Sequence, residues 1–271
     1  MLKHLLPLAL LLAAAPIAAQ EAVFSAEETA RVRVNPFSDR ISVPFKNDWD
    51  FGGGPDENGS AYKVEIEPVI PMSLSTNWSL ISRTILPIQA QSNVSGEGES
   101  QAGLGDTTQS LFLSPKARLG GWLAVGAGPA FIVPTSTNTE LGNDRFSMGP
   151  TIGLNARAGA FTIGFLAYQV WSVGDNTSQK QVSKAYINPA VTWISRSGLN
   201  FGVNTETECD WLEEGTQCSV PVNFTVGHPF RINKGLDIHI SGGGRYYAVR
   251  TENDPFWGLR FEVSLIFDSK R

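Results

Sequence analysis

The sequence predicts an all-β protein, a transmembrane antiparallel up-and-down barrel of about twelve strands with both ends of the chain on the same side of the membrane. Three observations predict it. The chain opens with a leader for export, its apolar and polar residues alternate with a period of two, and the links between the alternating runs are short and long by turns.

The leader is residues 1–19 of MLKHLLPLALLLAAAPIAAQ, with basic Lys3, an apolar run from Leu5 to Leu12 and small residues at Ala18 and Ala19. That order is a secretory signal peptide, whose apolar run is shorter than the ~20 residues a spanning helix needs. No later stretch approaches that length, which excludes a helical membrane protein. The formal charge of −5 becomes one unit more negative when Lys3 leaves with the leader. A surface of that sign is a poor partner for nucleic acid. A mean hydropathy of −0.08 is unremarkable for a barrel, because only every second residue of a spanning strand meets lipid.

The alternation is plainest in the last run, where Trp257, Leu259, Phe261, Val263, Leu265 and Phe267 share one face and Gly258, Arg260, Glu262, Ser264, Ile266 and Asp268 the other. Similar runs fall at 41–52, 61–74, 77–90, 104–116, 121–136, 145–157, 160–173, 184–195, 199–211, 218–231 and 236–250. Between them, short links at 75–76, 117–120, 158–159, 196–198 and 232–235 alternate with longer polar ones at 52–60, 91–103, 137–144, 174–183, 212–217 and 251–255. A soluble sandwich has no reason to keep that rhythm. Membrane barrels do, with short periplasmic turns and longer external loops, so the chain is expected to start and finish on the periplasmic side. Residues 41–271 then form the barrel, and the more polar 20–40 an N-terminal segment that is periplasmic or inserted in the lumen.

Several of these stretches resemble a bacterial family of outer-membrane proteins. They are NPFSDRISVPFKNDWDFGGGP (35–55), EPVIPMSLSTNWSLISRTILPI (67–88), GLGDTTQSLFLSPK (103–116), GAGPAFIVPTST (126–137), NFGVNTETECDW (200–211) and GGGRYYAVRTENDPFWGLRFEVSLIF (242–267). That family carries the label "transporter" or, misleadingly, neuromedin U, and is similar to the barrels encoded with meta-cleavage phenol-degradation pathways. The resemblance implies an outer-membrane location and a passive passage for small solutes, apolar or aromatic ones among them. It implies no particular solute and no catalytic set. The four residues after Phe267 depart from barrels that end on the aromatic residue of the last strand, a feature read by the assembly machinery.

Extending the alternation places Lys63, Glu65, Glu67, Arg83, Glu206, Glu208, Asp210, Asp237, His239, Ser241, Arg245, Arg260 and Glu262 inside the barrel. Such charges can form a constriction that selects ions or orients a polar solute, or they can pair with one another to fill a narrow barrel. Both readings stand at this point. The second makes the protein a closed structural or surface-binding barrel without transport. The tryptophans Trp49, Trp78, Trp122, Trp171, Trp193, Trp211 and Trp257 sit near the ends of runs and suit interfacial girdles. Cys209 and Cys218 bracket one external loop and are expected to form a disulfide, which the oxidising envelope permits.

No catalytic residue, metal site or cofactor is expected. Beyond the leader only His228 and His239 remain, and Ser241, two residues from His239 on one strand face, projects about 7 Å from it, beyond the ~3 Å that a nucleophile and its base require. The glycine-rich GGGP and SGGGR lack the lysine and helix of a phosphate loop, and read as turns, bulges or close strand approaches. The expected partners are outer-membrane lipid, the assembly machinery and a small solute.

Overall fold

The computed structural model describes residues 25–143, 145–174 and 181–268. The leader 1–19, most of the 174–183 loop and the last three residues lie outside the described residues. Twelve antiparallel strands form one closed sheet. They are β1 (Ile41–Gly53), β2 (Gly59–Ile66 and Val69–Ser73), β3 (Trp78–Ser92), β4 (Ser100–Leu104 and Thr107–Pro115), β5 (Leu123–Val133) and β6 (Ser147–Ala158). The second half comprises β7 (Phe161–Ser172), β8 (Ser183–Ile194), β9 (Asn200–Thr205 and Thr207–Asp210), β10 (Cys218–Asn233), β11 (Leu236–Val249) and β12 (Trp257–Phe267). Each strand pairs with its chain neighbours, and β1 closes on β12 from Ile41↔Phe267 to Phe51↔Trp257. Closure removes every sheet edge, so no backbone donor or acceptor need face hydrocarbon.

Three strands are interrupted, which the alternation did not foretell. In β9 the break costs no register, since Asn204 pairs with Ala190 and Thr207 with Ile187. Glu206 and Glu208 therefore stay on the inward face. The glycine-rich stretches behave as turns and close approaches. Gly52, with φ of 81°, lies within a register shift between β1 and β2. Gly243 is held so near its neighbour strand that a Cβ would fall 1.7 Å from the Phe224 carbonyl oxygen.

Outward positions are apolar and exposed, among them Leu259, Phe261, Phe224, Val226, Ile152, Ile163, Val191 and Val203. All seven tryptophans are exposed on this outer face. Trp78, Trp122 and Trp193 ring the rim of short turns, while Trp49, Trp171, Trp211 and Trp257 ring the rim of long loops. Two aromatic belts flanking an apolar band are what the headgroup zones of a bilayer favour. Among the described residues no helix is long and apolar enough to cross a membrane; the strands make the crossing.

Among the described residues the one α-helix, α1 (Ala26–Arg33), does not cover the barrel but sits within it. Ser25 caps it by accepting from the Glu28 amide, Glu27 and Glu28 occupy the first turn, and Arg31 and Arg33 the last. Those charges complement the helix dipole at both ends. Its backbone lies against β8, β10, β11 and β12.

Candidate functional site

The lumen has two unlike walls. On β11, β12, β1 and β2 the inward positions are charged and interlocked. Arg260 donates from Nε and Nη2 to the two Asp48 oxygens at 2.7 and 2.8 Å. Arg245 Nη1 lies 2.6 Å from Asp48 Oδ2 and 3.2 Å from Asp50 Oδ2. Lys46 contacts Glu65, Glu67 at 2.9 Å and Glu206 at 3.0 Å, while Lys63 pairs with Glu65 at 3.0 Å and Arg83 with Glu67 at 2.8 Å. Charge-assisted pairs of this kind satisfy groups that would otherwise be costly to bury.

Inward-facing Gly258 makes room for part of this lattice. A Cβ there would lie 2.2 Å from Asp50 Oδ1, so Arg245 and Asp50 reach each other only because β12 presents no side chain between them.

The opposite wall, on β3 to β8, carries apolar clusters set among small polar side chains such as Ser110, Thr151 and Asn155. Ile81, Phe112, Leu166 and Tyr186 pack with Val69 of β2, and Ala130, Ile132 and Val170 form a second group bridged to the first by Tyr168. Tyr168 and Tyr186 stack with centroids 5.2 Å apart. Glu206, at the break in β9, reaches over to the charged wall: it accepts from Arg260 Nη1 and Nη2 at 3.1 and 2.6 Å and from Lys46 Nζ at 3.0 Å. Because β10 and β11 separate β9 from β12 around the wall, this is a bridge across the lumen.

Residues 25–40 occupy the lumen at the short-turn rim. Thr29 donates to Asp237 at 2.8 Å, Arg31 to Thr162 at 3.1 Å and to the Gly159 carbonyl at 2.8 Å, and Arg157 pairs with Glu28 at 2.8 Å. Arg33 reaches up to form a two-point pair with Glu262. Burial lowers the Arg33 pKa, but the Glu262 carboxylate outweighs it and the net shift is upward, so Arg33 stays charged. Beyond the helix, Asn155 donates to the Val34 carbonyl at 2.9 Å. Phe37 then meets Phe112 edge-on at 5.6 Å, over Gly126 and Gly153. The segment thus reaches from the charged wall to the apolar one and stoppers that end.

Above it remains a cavity of about 200 Å³, floored by Arg33, Val34 and Pro36 and walled by Lys46, Glu67, Arg83, Glu206 and Arg260 on one side and Val69 and Leu166 on the other. A second cavity of about 190 Å³ lies toward the long-loop rim, lined by Asp50, Lys63, Gln89, Gln91 and Tyr247 among others.

No known protein-family profile matches the chain, and no curated protein sequence does. Solved structures do match. An outer-membrane channel from Pseudomonas putida F1 superposes with a TM-score of 0.58 at 14% identity, covering 84% of this chain and 95% of that one. The fold is that of a bacterial outer-membrane barrel. The NanC porin aligns with a TM-score of 0.49 at 10% identity over 84% of this chain and 100% of its own. The KdgM porin aligns with a TM-score of 0.44 at 8% identity over 84% and 99%.

Within this outer-membrane-type barrel, the predicted inward residues all face the lumen. Glu65, Glu67, Arg83, Asp237, His239, Arg245, Arg260 and Glu262 are buried there. Lys63 and Glu206 are half-buried, and Glu208 stands open to the water of the outer half. His239 and Ser241 sit together against Gly227, but the imidazole Nε2 faces Asn200 at 3.0 Å rather than a hydroxyl. Cys209 and Cys218 are bonded to each other across β9 and β10, at the long-loop end. Among the described residues no cluster of metal-ligating side chains occurs.

Lys46, Asp48 and Asp50 are among the lumen residues that escaped the sequence reading. Their signal was present, because they alternate with Phe45, Asn47, Trp49 and Phe51 just as Arg260 and Glu262 alternate with Leu259 and Phe261. Arg33 and Phe37 carried no such signal, since they belong to no strand.

Proposed function

We propose that the protein is a passive outer-membrane channel for small solutes, with residues 25–40 as an internal stopper at its periplasmic mouth. The observation that carries this is the lumen itself: a barrel of twelve strands falls between those filled by their own side chains and open porins, and here unfilled space of about 200 Å³ remains between a charged and an apolar wall. The Pseudomonas barrel is described as an outer-membrane channel, which supports the same reading. Apolar or aromatic solutes suit Val69, Phe165 and Leu166, which line that space, and charged neighbours would keep the path wet. Catalysis finds no support in the His239 surroundings.

A second reading, a closed structural barrel, is favoured by the cross-lumen Glu206 bridge and the stopper. Planar-bilayer recording separates them. Channel function predicts rare or small conductance steps for the full chain and larger, sustained ones after deletion of residues 25–37. Silence from both, with the deletion variant folded, would leave the closed barrel.

A further inference from the structure

The cations that line the cavity above the stopper are not equally held. Four of them line it, Arg33, Lys46, Arg83 and Arg260, beside the carboxylates Glu67, Glu206 and Glu262. The ion pairs are spread unevenly among them. Arg33 holds Glu262, and Arg260 is held by Asp48 and Glu206. Lys46 draws on Glu65, Glu67 and Glu206. Arg83 has only Glu67, which it shares with Lys46.

One half of the Arg83 guanidinium is therefore idle. Nη2 donates to Glu67, while Nη1 is buried and has no partner, on a side chain that is only 10% exposed. A second idle donor lines the same cavity. Asn200 Nδ2 donates one hydrogen to the Gly198 carbonyl, so its other hydrogen points to His239 Nε2, which accepts; the ring proton then sits on Nδ1, which is also buried and without a partner. A buried donor with no acceptor is costly, more so when charged, and is kept where something else supplies the acceptor. Val69 and Leu166 line the same cavity and give it an apolar surface beside these donors.

We propose that this cavity is a binding site for a small monoanion with an apolar body, a carboxylate on a hydrocarbon frame, whose oxygens take the idle Arg83 Nη1 donor and whose frame lies on Val69 and Leu166. The proposal rests on the channel reading and names the class of solute that pauses in it. Planar guanidinium and carboxylate match in geometry, and a hydrocarbon frame on Leu166 gains what a small hydrophilic anion cannot.

Calorimetric titration of the full exported chain in detergent micelles, with empty micelles as blank, tests it using benzoate, acetate and benzyl alcohol as probes. Benzoate is expected to bind at least ~10-fold more tightly than either of the others, the ratio of losing one charge-assisted hydrogen bond or one apolar frame. The paired variant Arg83→Met with Glu67→Gln removes both charges and strands neither, and should lose that preference. Leu166→Asn should weaken benzoate and leave acetate unchanged, and folding of each variant is checked by heat-modifiable migration on gels. Equal binding of the three probes, or benzoate binding untouched by the paired variant, would overturn the site. Conductance in potassium chloride is read alongside. A conducting barrel indifferent to benzoate loses this proposal alone, while a silent barrel that binds benzoate keeps the site and loses the channel.

Discussion

Replacing Glu206 by glutamine keeps the shape of the cross-lumen bridge and removes its charge. The carboxylate accepts three hydrogen bonds, two from Arg260 at 3.1 and 2.6 Å and one from Lys46 at 3.0 Å, and its side chain is only 13% exposed. Each charge-assisted bond is worth about 1.5–3 kcal/mol, and stranding a buried charge costs about 3–5 kcal/mol. Stranding does not occur here. Arg260 retains Asp48 at 2.7 and 2.8 Å, and Lys46 retains Glu65 and Glu67, so both cations keep partners. Glutamine still offers one acceptor oxygen, but its amide turns two hydrogens toward cations. The expected loss is about 2 kcal/mol, below the stranded-charge figure. The lumen also gains one net positive charge and loses its strap. Unfolding in guanidinium should therefore shift to lower denaturant, while bilayer recordings should show higher conductance and a reversal potential moved toward anions. If stability, conductance and reversal potential all match the parent chain, Glu206 does not bridge the lumen and the two-walled description fails with it.

Other perturbations probe separate parts. Gly258→Ala puts a Cβ 2.2 Å from Asp50 Oδ1 and 2.6 Å from the Trp49 carbonyl oxygen, so it should break the Arg245–Asp50 bond and destabilise the barrel by about 1–3 kcal/mol, read by denaturant unfolding. Gly153→Leu fills the seat of Phe37, whose ring would lie 2.6 Å from the new Cβ, and should raise conductance while the barrel still folds; an unchanged current would remove Phe37 as an anchor of the stopper. Paired replacement of Cys209 and Cys218 by serine opens a loop with a sequence separation of 9. Chain entropy sets its cost at no more than about 3 kcal/mol, and limited proteolysis should cut the 212–217 loop faster while conductance holds.

The strands were legible because a spanning strand has only two environments, and lipid on one side of every residue writes a period of two into the chain. Arg260, Glu262, Asp237 and His239 could be assigned from Leu259, Phe261, Ile238 and Ile240 with no knowledge of which strands meet. The same rule carried Glu206 and Glu208 inward, and it survived the break in β9 because no residue is inserted there. Partners were not legible. That Arg260 pairs with Asp48 depends on the β1–β12 closure, the longest-range pairing in the chain, and that Glu206 reaches them depends on barrel width. The stopper was least visible. An eight-residue helix with Glu27, Glu28, Arg31 and Arg33 looks like any solvated polar segment, and only the barrel around it supplies Asp237, Thr162 and Glu262.

The chemistry of that stopper bears on whether it can leave. Its fixings to the wall are mostly polar: Thr29 to Asp237, Arg31 to Thr162, Arg33 to Glu262, Arg157 to Glu28 and Asn155 to the Val34 carbonyl. Water can replace such bonds almost one for one, so their net contribution to docking is about 0.5–1.5 kcal/mol each for the neutral ones. Ala30, Val32 and Phe37 supply the apolar hold, and Phe37 is the one aromatic ring among them, set edge-on against Phe112. A segment held chiefly by exchangeable bonds can leave a wet lumen without exposing much grease, whereas a hydrophobic plug could not. The charged wall above it is paired within itself through Asp48, Lys46 and Arg260, whereas buried Glu262 loses its Arg33 partner when the segment leaves. Whether the barrel lacking residues 25–37 still folds therefore decides if docking and folding are separable, which is the condition an internal gate has to meet.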